Sequence, residues 1–320
     1  MAKKLGLYYL PEDGVALQMR RGALAARGED GAVRLFEPRV HGLRTILLAG
    51  HGASISSEAI RWCAREGVSL YVAERNGEFM ALFANATSAD GRRKALHLRQ
   101  KQFAAVLDPC KRLEIARKII FAKLGTLELH SRDAKALRAK LVSARTLIDI
   151  LTVEAGAGAA YFMRWRGIEM RFNKDAPQHW RVFIARSGSF LRGKSGMSPA
   201  RHSATPAGAC LNYAFAIALG QCTRAIIGMG LDACIGFLHS PKPGRLSLSY
   251  DALELHRARL THAVFDYVQG RAFKRSDFQL SPEGIVRLSP LVAKEVVALV
   301  LKEISFKDYV AGTRKIVKWF

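Results

Sequence analysis

The sequence predicts an α+β protein, with a β-rich N-terminal domain followed by a larger all-α domain. Three observations point that way. The first ninety residues hold short runs of β-forming residues broken by Gly, Asp and Pro. Beyond a polar patch at 86–91, apolar residues recur at three- and four-residue spacing over long stretches. The charge changes at the same place: residues 1–90 carry 11 Lys/Arg against 10 Asp/Glu, and residues 91–320 carry 39 against 17. The domains are therefore set at 1–90 and 91–320, and 320 residues suffice for two cores.

In the first domain the segments LGLYYL, VALQMR, AVRLFE and TILLAG read as strands. A helix is expected over 57–66, where Ile60, Cys63 and Ala64 keep helical spacing and Gly67 ends it. VSLYVAE and EFMALFA follow, joined by Arg75-Asn76-Gly77, a strong hairpin signal. No cluster of His or carboxylates appears here, so this domain is expected to be a scaffold or dimerisation surface.

In the second domain, helices are expected at 93–107, 111–129 and 134–153. Their faces carry Arg92, Arg93, Lys94, Arg99, Lys101, Arg117, Lys118, Arg138 and Lys140, which together suggest a track for a phosphate backbone. Residues 175–206 are turn-rich and basic, with Arg186, Arg192, Lys194 and Arg201, and read as a long mobile loop that orders on nucleic acid. A nearly all-apolar helix then leads into the segment 230–257. The part from Leu260 onward is helical in pattern and ends in a basic, frayed tail at 307–320.

The net charge of +23 and pI near 10.3 favour a polyanionic partner, because each neutralised phosphate releases counterions. Nucleic acid fits best. No strongly amphipathic basic helix speaks for a membrane surface, no apolar run is expected to reach membrane-spanning length, and the start MAKK leads into a strand-like segment rather than a signal peptide. The five cysteines lack any C-x-x-C pair and read as thiols of a reducing, cytoplasmic compartment.

The segment 230–257, GLDACIGFLHSPKPGRLSLSYDALELHR, carries the chemistry. His239 ends an apolar run, and Asp251 and Glu254, three apart, share a helix face. An imidazole with one or two carboxylates suits Mg²⁺ or Mn²⁺. A structural histidine and an acidic pair serving the helix dipole account for the same residues. Glu154 stands among small residues in LTVEAGAGAAYFMRW, where a carboxylate risks burial and a cation is one of its possible partners; an exposed glutamate is the other local reading.

Taken together, these motifs resemble the CRISPR-associated endonuclease and integrase of spacer acquisition, over nearly the whole chain. Glu154 with Tyr161, Gly230-Leu231-Asp232 with Gly236-Phe237-Leu238-His239, Asp251-Ala252-Leu253-Glu254 with Arg257, and Asn212-Tyr213 match that family's motifs in order. Departures are Ala155, Ala159, Thr205, Gly208, Ala233 and His256, none at a presumed metal ligand. The resemblance implies that Glu154, His239 and Glu254 hold Mg²⁺ or Mn²⁺, with Asp251 beside them as a supporting or alternative ligand. It also implies double-stranded DNA as substrate (spacer fragments and CRISPR repeat DNA), contacted by Arg186, Arg192, Lys194, Arg201 and Arg257. A homodimer and a complex with the small companion adaptation protein are expected. A DNA repair nuclease, a transposon-type integrase of the same fold and a non-catalytic nucleic-acid-binding protein are the rival readings.

Overall fold

A computed structural model describes residues 7–28, 30–40, 42–43, 45–73, 79–83, 89–173, 175–183, 203–242 and 244–320. The N-terminal domain contains two four-stranded sheets. One runs β1 (Leu7–Leu10), β5 (Thr45–Leu48), β7 (Ser69–Ala73), β8 (Phe79–Phe83), parallel except for the antiparallel β7–β8 pair. The other runs β4 (Val33–Phe36), β3 (Ala23–Arg27), β2 (Ala16–Arg20), β6 (Ser54–Ile55). Arg21 and Gly22 both take positive φ, the two-residue turn that matches strand twist, so β3 follows β2 directly. The sequence reading had not separated β3 or β6.

Helix α1 (Ser57–Arg65) starts where Ser56 accepts the Ala59 N–H, and its Ala59, Trp62 and Cys63 close the core formed by Leu17, Leu24, Phe36, Ile46 and Leu70. The antiparallel β7–β8 pair agrees with the hairpin expectation; its turn and residues 86–88 of the expected boundary lie outside the described residues.

The second domain opens with α2 (Ala89–Leu107) and α3 (Pro109–Thr126), separated by Asp108, which accepts the N–H groups of Cys110 and Lys111. The single helix expected at 134–153 is two, α4 (Ser131–Ser143) and α5 (Leu147–Met163). Thr146 and Asp149 form a capping box that starts α5 anew, and a new start forces the break.

The long core helix α6 (Pro206–Gly228) is buried on nearly every side, against α7 (Ser247–Leu253), α8 (Arg257–Gln269), α9 (Pro290–Glu303) and α10 (Phe306–Val317). By length and composition it could cross a membrane, which corrects the expectation that no segment reaches that length; most of its apolar stretch is buried inside the protein. The β domain rests on the same helix. Tyr71 donates to the Gly220 carbonyl at 2.9 Å, Tyr9 and Tyr213 share a hydrogen bond, and Arg224 donates to Thr45.

Three further expectations change. The second domain is helical but not purely so: β9 (Arg171–Phe172) pairs with β10 (Ala272–Phe273), and β11 (Phe278–Leu280) with β12 (Val286–Leu288). Residues 175–183 are not loose loop, because Trp180 and Phe183 are fully buried among Phe172, Phe265 and Phe278. The tail is not frayed: a Ser305–Asp308 capping box starts α10, and Tyr309, Thr313 and Ile316 anchor it in the core.

Candidate functional site

The loop 230–246 between α6 and α7 is held from two sides. Gln102 of α2, fully buried, donates to the carbonyls of Asp232 and Ile235 at 2.8 and 2.7 Å and accepts from the Asp232 N–H. Arg112 of α3 donates to the Phe237 carbonyl and the Ser240 hydroxyl, both at 3.0 Å. Gly230 takes φ +81° and lies so close to Ala95 that a Cβ would overlap it. Gly236 is equally confined, with the Ser247 backbone 2.7 Å from where its Cβ would stand.

Asp251, with no exposed surface, is the hub of this loop. Its Oδ2 accepts the N–H groups of Phe237 and Leu238 at 2.6 and 3.2 Å, and its Oδ1 accepts the N–H of His239 at 3.0 Å. The same Oδ1 lies 2.7 Å from His239 Nδ1. A carboxylate fed by three amides acts as an acceptor, so in the neutral ring Nδ1 carries the proton and Nε2 keeps its lone pair. Both Asp251 oxygens are thereby spent. Of the two roles expected for it, supporting residue or alternative ligand, the geometry leaves the first.

Glu254, directly after α7, is buried, and Glu154 on α5 is half-buried; both carboxylates meet the Lys123 ammonium of α3. Lys123 Nζ stands 2.7 Å from Glu254 Oε2, and Arg257 Nε stands 2.7 Å from Glu254 Oε1. Burial alone would push the Glu254 carboxyl up; the Arg257 and Lys123 charges outweigh it and hold the group down at about 2, with the nearby His239 acting in the same sense. Both contacts of Glu254 are close in distance but poorly aligned. Glu254 Oε2 and Arg257 Nε, both buried, make no aligned hydrogen bond.

Glu154 and Glu254 thus meet at Lys123 from separated elements, and His239, 85 residues after Glu154 and 15 before Glu254, lies in the neighbourhood of Glu254. Among the described residues no three His, Cys, Asp or Glu groups already converge into a cation cage. The donor chemistry nonetheless fits a hard divalent ion: two carboxylates converge on one cation, one of their oxygens is buried without an aligned donor, and a histidine held by Asp251 lies in the neighbourhood of Glu254.

Arg257 is placed as the counter-ion of Glu254, its guanidinium over the Phe215 ring at 5.0 Å. Arg186, Arg192, Lys194 and Arg201 lie outside the described residues. In the basic track the side chains of Arg92, Arg93 and Lys94 are likewise not described. Arg99 donates to the Gly230 carbonyl, and Arg117 caps the end of α4 through the Leu141 and Ala144 carbonyls. Lys118 pairs with Glu114, while Lys101, Arg138 and Lys140 are exposed.

Sequence reasoning missed Lys123, although a signal existed. Ala116, Ile119, Ile120, Lys123 and Leu124 form one buried stripe of α3, and a lysine in an apolar stripe must find a charged partner. Gln102 and Arg112 left no such mark.

Comparison with known proteins shows the family and the fold. Residues 8–302 match the family described as CRISPR associated protein Cas1. The CRISPR-associated endonuclease Cas1 2 of Pyrobaculum aerophilum is 29% identical over 298 residues, covering 88% of each chain. The CRISPR-associated endonuclease Cas1 3 of Thermus thermophilus is 26% identical over 290 residues, covering 89% of this chain and 80% of its own. In fold, the chain is similar to a casposase bound to integration product (TM-score 0.80, 22% identity, 98% and 90% coverage). It is also similar to a Cas1 protein from Thermotoga maritima (TM-score 0.76, 16% identity, 98% and 96% coverage).

Proposed function

The chain belongs to the Cas1 family, the CRISPR-associated endonucleases and integrases of spacer acquisition, and we propose that Glu154, His239 and Glu254 are its divalent-metal ligands. The reaction is phosphodiester transfer, in which a captured DNA fragment is joined into a CRISPR array. One observation carries the site: Glu154 on α5 and Glu254 directly after α7 converge on a single ammonium, with a histidine whose ring is fixed by a buried aspartate in the neighbourhood of Glu254.

A bound Mg²⁺ or Mn²⁺ supplies Lewis acidity at the phosphoryl oxygen and at the attacking hydroxyl. The chain's own residues do the rest. Asp251 fixes the His239 tautomer and leaves Nε2 as the ring's ligand atom. Arg257 keeps Glu254 ionised in a buried setting. Gln102 and Arg112 hold the loop against displacement as DNA enters. Preorganised donors of this kind lower a barrier because they need not rearrange during the reaction.

The partners follow from charge and family. The excess of Lys and Arg in residues 91–320 supports double-stranded DNA held through its phosphates. The nearly neutral β domain is the surface for homodimerisation, since the basic domain repels its own copy. Similarity to the Cas1 part of a Cas6-RT-Cas1–Cas2 complex supports a companion of the Cas2 kind. The free thiols Cys110 and Cys234, both exposed, suit the cytoplasm.

The test is strand transfer of a duplex with free 3′-hydroxyl ends into a repeat-bearing plasmid. Wild type transfers with Mg²⁺ or Mn²⁺, and Glu154→Ala, His239→Ala and Glu254→Ala each lose transfer by at least about 100-fold while still binding DNA. Full transfer by any one of them overturns its ligand role. Insertion into plasmid without preference for the repeat would favour the transposon-type reading instead.

A further inference from the structure

Lys123 is buried in the site and has no role in the scheme above. Its ammonium touches the carboxylates of Glu154 and Glu254, the two groups that the proposed metal needs. With Arg257 present, the local charges balance: two carboxylates against two cations. A divalent ion arriving at this arrangement would meet carboxylates already neutralised and a fixed positive charge in contact with both. Glu254 could not turn to a new ligand role without releasing Lys123, because its second oxygen faces Arg257. The ammonium has to move.

The structure shows where it can go. A cavity of about 190 Å³ opens beside Glu154, with Lys123, Arg257 and Thr261 on its polar side and Leu127, Phe162 and Phe215 among its apolar walls. Gly158, one turn beyond Glu154 on α5, has nothing within 4 Å of the point where a side chain would begin, so this wall is open. Two cations on the wall of one open cavity suit a tetrahedral monoanion, the phosphodiester of a DNA strand. Lysine suits a handover of this kind, since its compact charge rides on a flexible four-carbon stem.

We infer that Lys123 couples DNA binding to metal binding: its ammonium is the counter-ion of Glu154 and Glu254 until a DNA phosphodiester in the adjoining cavity takes it over and frees both carboxylates for the metal. The inference rests on the metal-ligand reading above. Metal and DNA then bind cooperatively, and by thermodynamic linkage each tightens the other by the same factor. In the metal-free protein the lysine keeps two carboxylates together without unpaired charge, so the site stays formed while it waits for substrate.

The experiment measures Mn²⁺ affinity by electron paramagnetic resonance on the full chain, with and without a short duplex, for wild type, Lys123→Met and His239→Ala. The expected result is that the duplex tightens Mn²⁺ binding to wild type by about tenfold or more. Lys123→Met should bind Mn²⁺ without DNA about as tightly as wild type does with it, and the duplex should then change little. His239→Ala reports the Mn²⁺ held by DNA alone and should show no protein site. A wild-type affinity that is the same with and without duplex overturns the coupling, and this holds even if Lys123→Met does not fold. A Lys123→Met protein with unchanged affinity and an undiminished duplex effect overturns it as well. If instead His239→Ala binds Mn²⁺ like wild type, the metal-ligand reading fails, which separates that failure from failure of the lysine's role.

Discussion

Replacing Asp251 with asparagine changes one oxygen to an amide and should undo the loop that presents His239. The carboxylate accepts three backbone N–H groups and lies against His239 Nδ1, all in a fully buried position. An asparagine keeps one acceptor oxygen. Its NH₂ must face either the Phe237 and Leu238 amides or the two donors of His239, and in either orientation two donors lose their acceptor. Hydrogen bonds to a charged group contribute about 1.5–3 kcal/mol each, and a buried donor left unmet costs about 1–3 kcal/mol. A loss of about 3–5 kcal/mol in folding stability follows, read by urea unfolding. Where the NH₂ faces His239, the ring also loses the acceptor that fixes its tautomer, and loss of such support lowers metal affinity or activity about 10–100-fold. Strand-transfer rates under conditions where the variant remains folded separate the two effects. Stability within about 0.5 kcal/mol of wild type, with unchanged transfer, would refute the hub role of Asp251.

Other consequences of the structure are open to simple measurements. Gly236→Ala forces a Cβ to 2.7 Å from the Ser247 backbone and 2.9 Å from Asp251 Oδ2, and should cost about 1–3 kcal/mol in unfolding experiments while weakening transfer. Trp62→Ala empties the core between the two sheets and should destabilise the protein by about 3–5 kcal/mol, measured by thermal unfolding, with DNA affinity little changed. Burial holds the folded His256 imidazole down at about 4, against the ordinary histidine value of 6.5, so the unfolded chain binds the extra proton first. Stability is therefore complete above pH 6.5 and falls as pH drops toward 4, by about 3 kcal/mol; His256→Phe should flatten the stability profile across that window. DNA affinity should fall steeply and log-linearly with salt and depend little on sequence; an affinity that hardly changes from 50 to 200 mM salt would contradict phosphate-led binding.

How far the sequence could be read depended on whether a feature is local. The capping boxes at Thr146 and Ser305 are four-residue patterns, and both were present to be read, yet longer periodicity led to one helix at 134–153 and a frayed tail. Trp180 and Phe183 looked like parts of a loop because their partners, Phe172, Phe265 and Phe278, come from distant elements. The ligand candidates were legible as types of chemistry in three short windows. Lys123 was legible in principle, as a charge inside the apolar stripe of α3. Gln102 and Arg112 were not: their targets in the loop lie 125 to 133 residues away, and an ordinary polar residue on a helix says nothing about so distant a partner. That Arg257 pairs with Glu254 in a buried setting was not legible either, because a carboxylate three residues away in sequence does not reveal how deeply the pair lies.

The central claim is that Glu154, His239 and Glu254 ligate one divalent ion. Crystals grown with a DNA duplex and Mn²⁺, measured at the manganese absorption edge, address it directly. The account predicts one strong anomalous peak within about 2.0–2.6 Å of a carboxylate oxygen of Glu154, of Nε2 of His239 and of a carboxylate oxygen of Glu254, with Asp251 still bonded to Nδ1. A peak that excludes Glu154 or Glu254, or one ligated by Asp251 in place of His239, would contradict it.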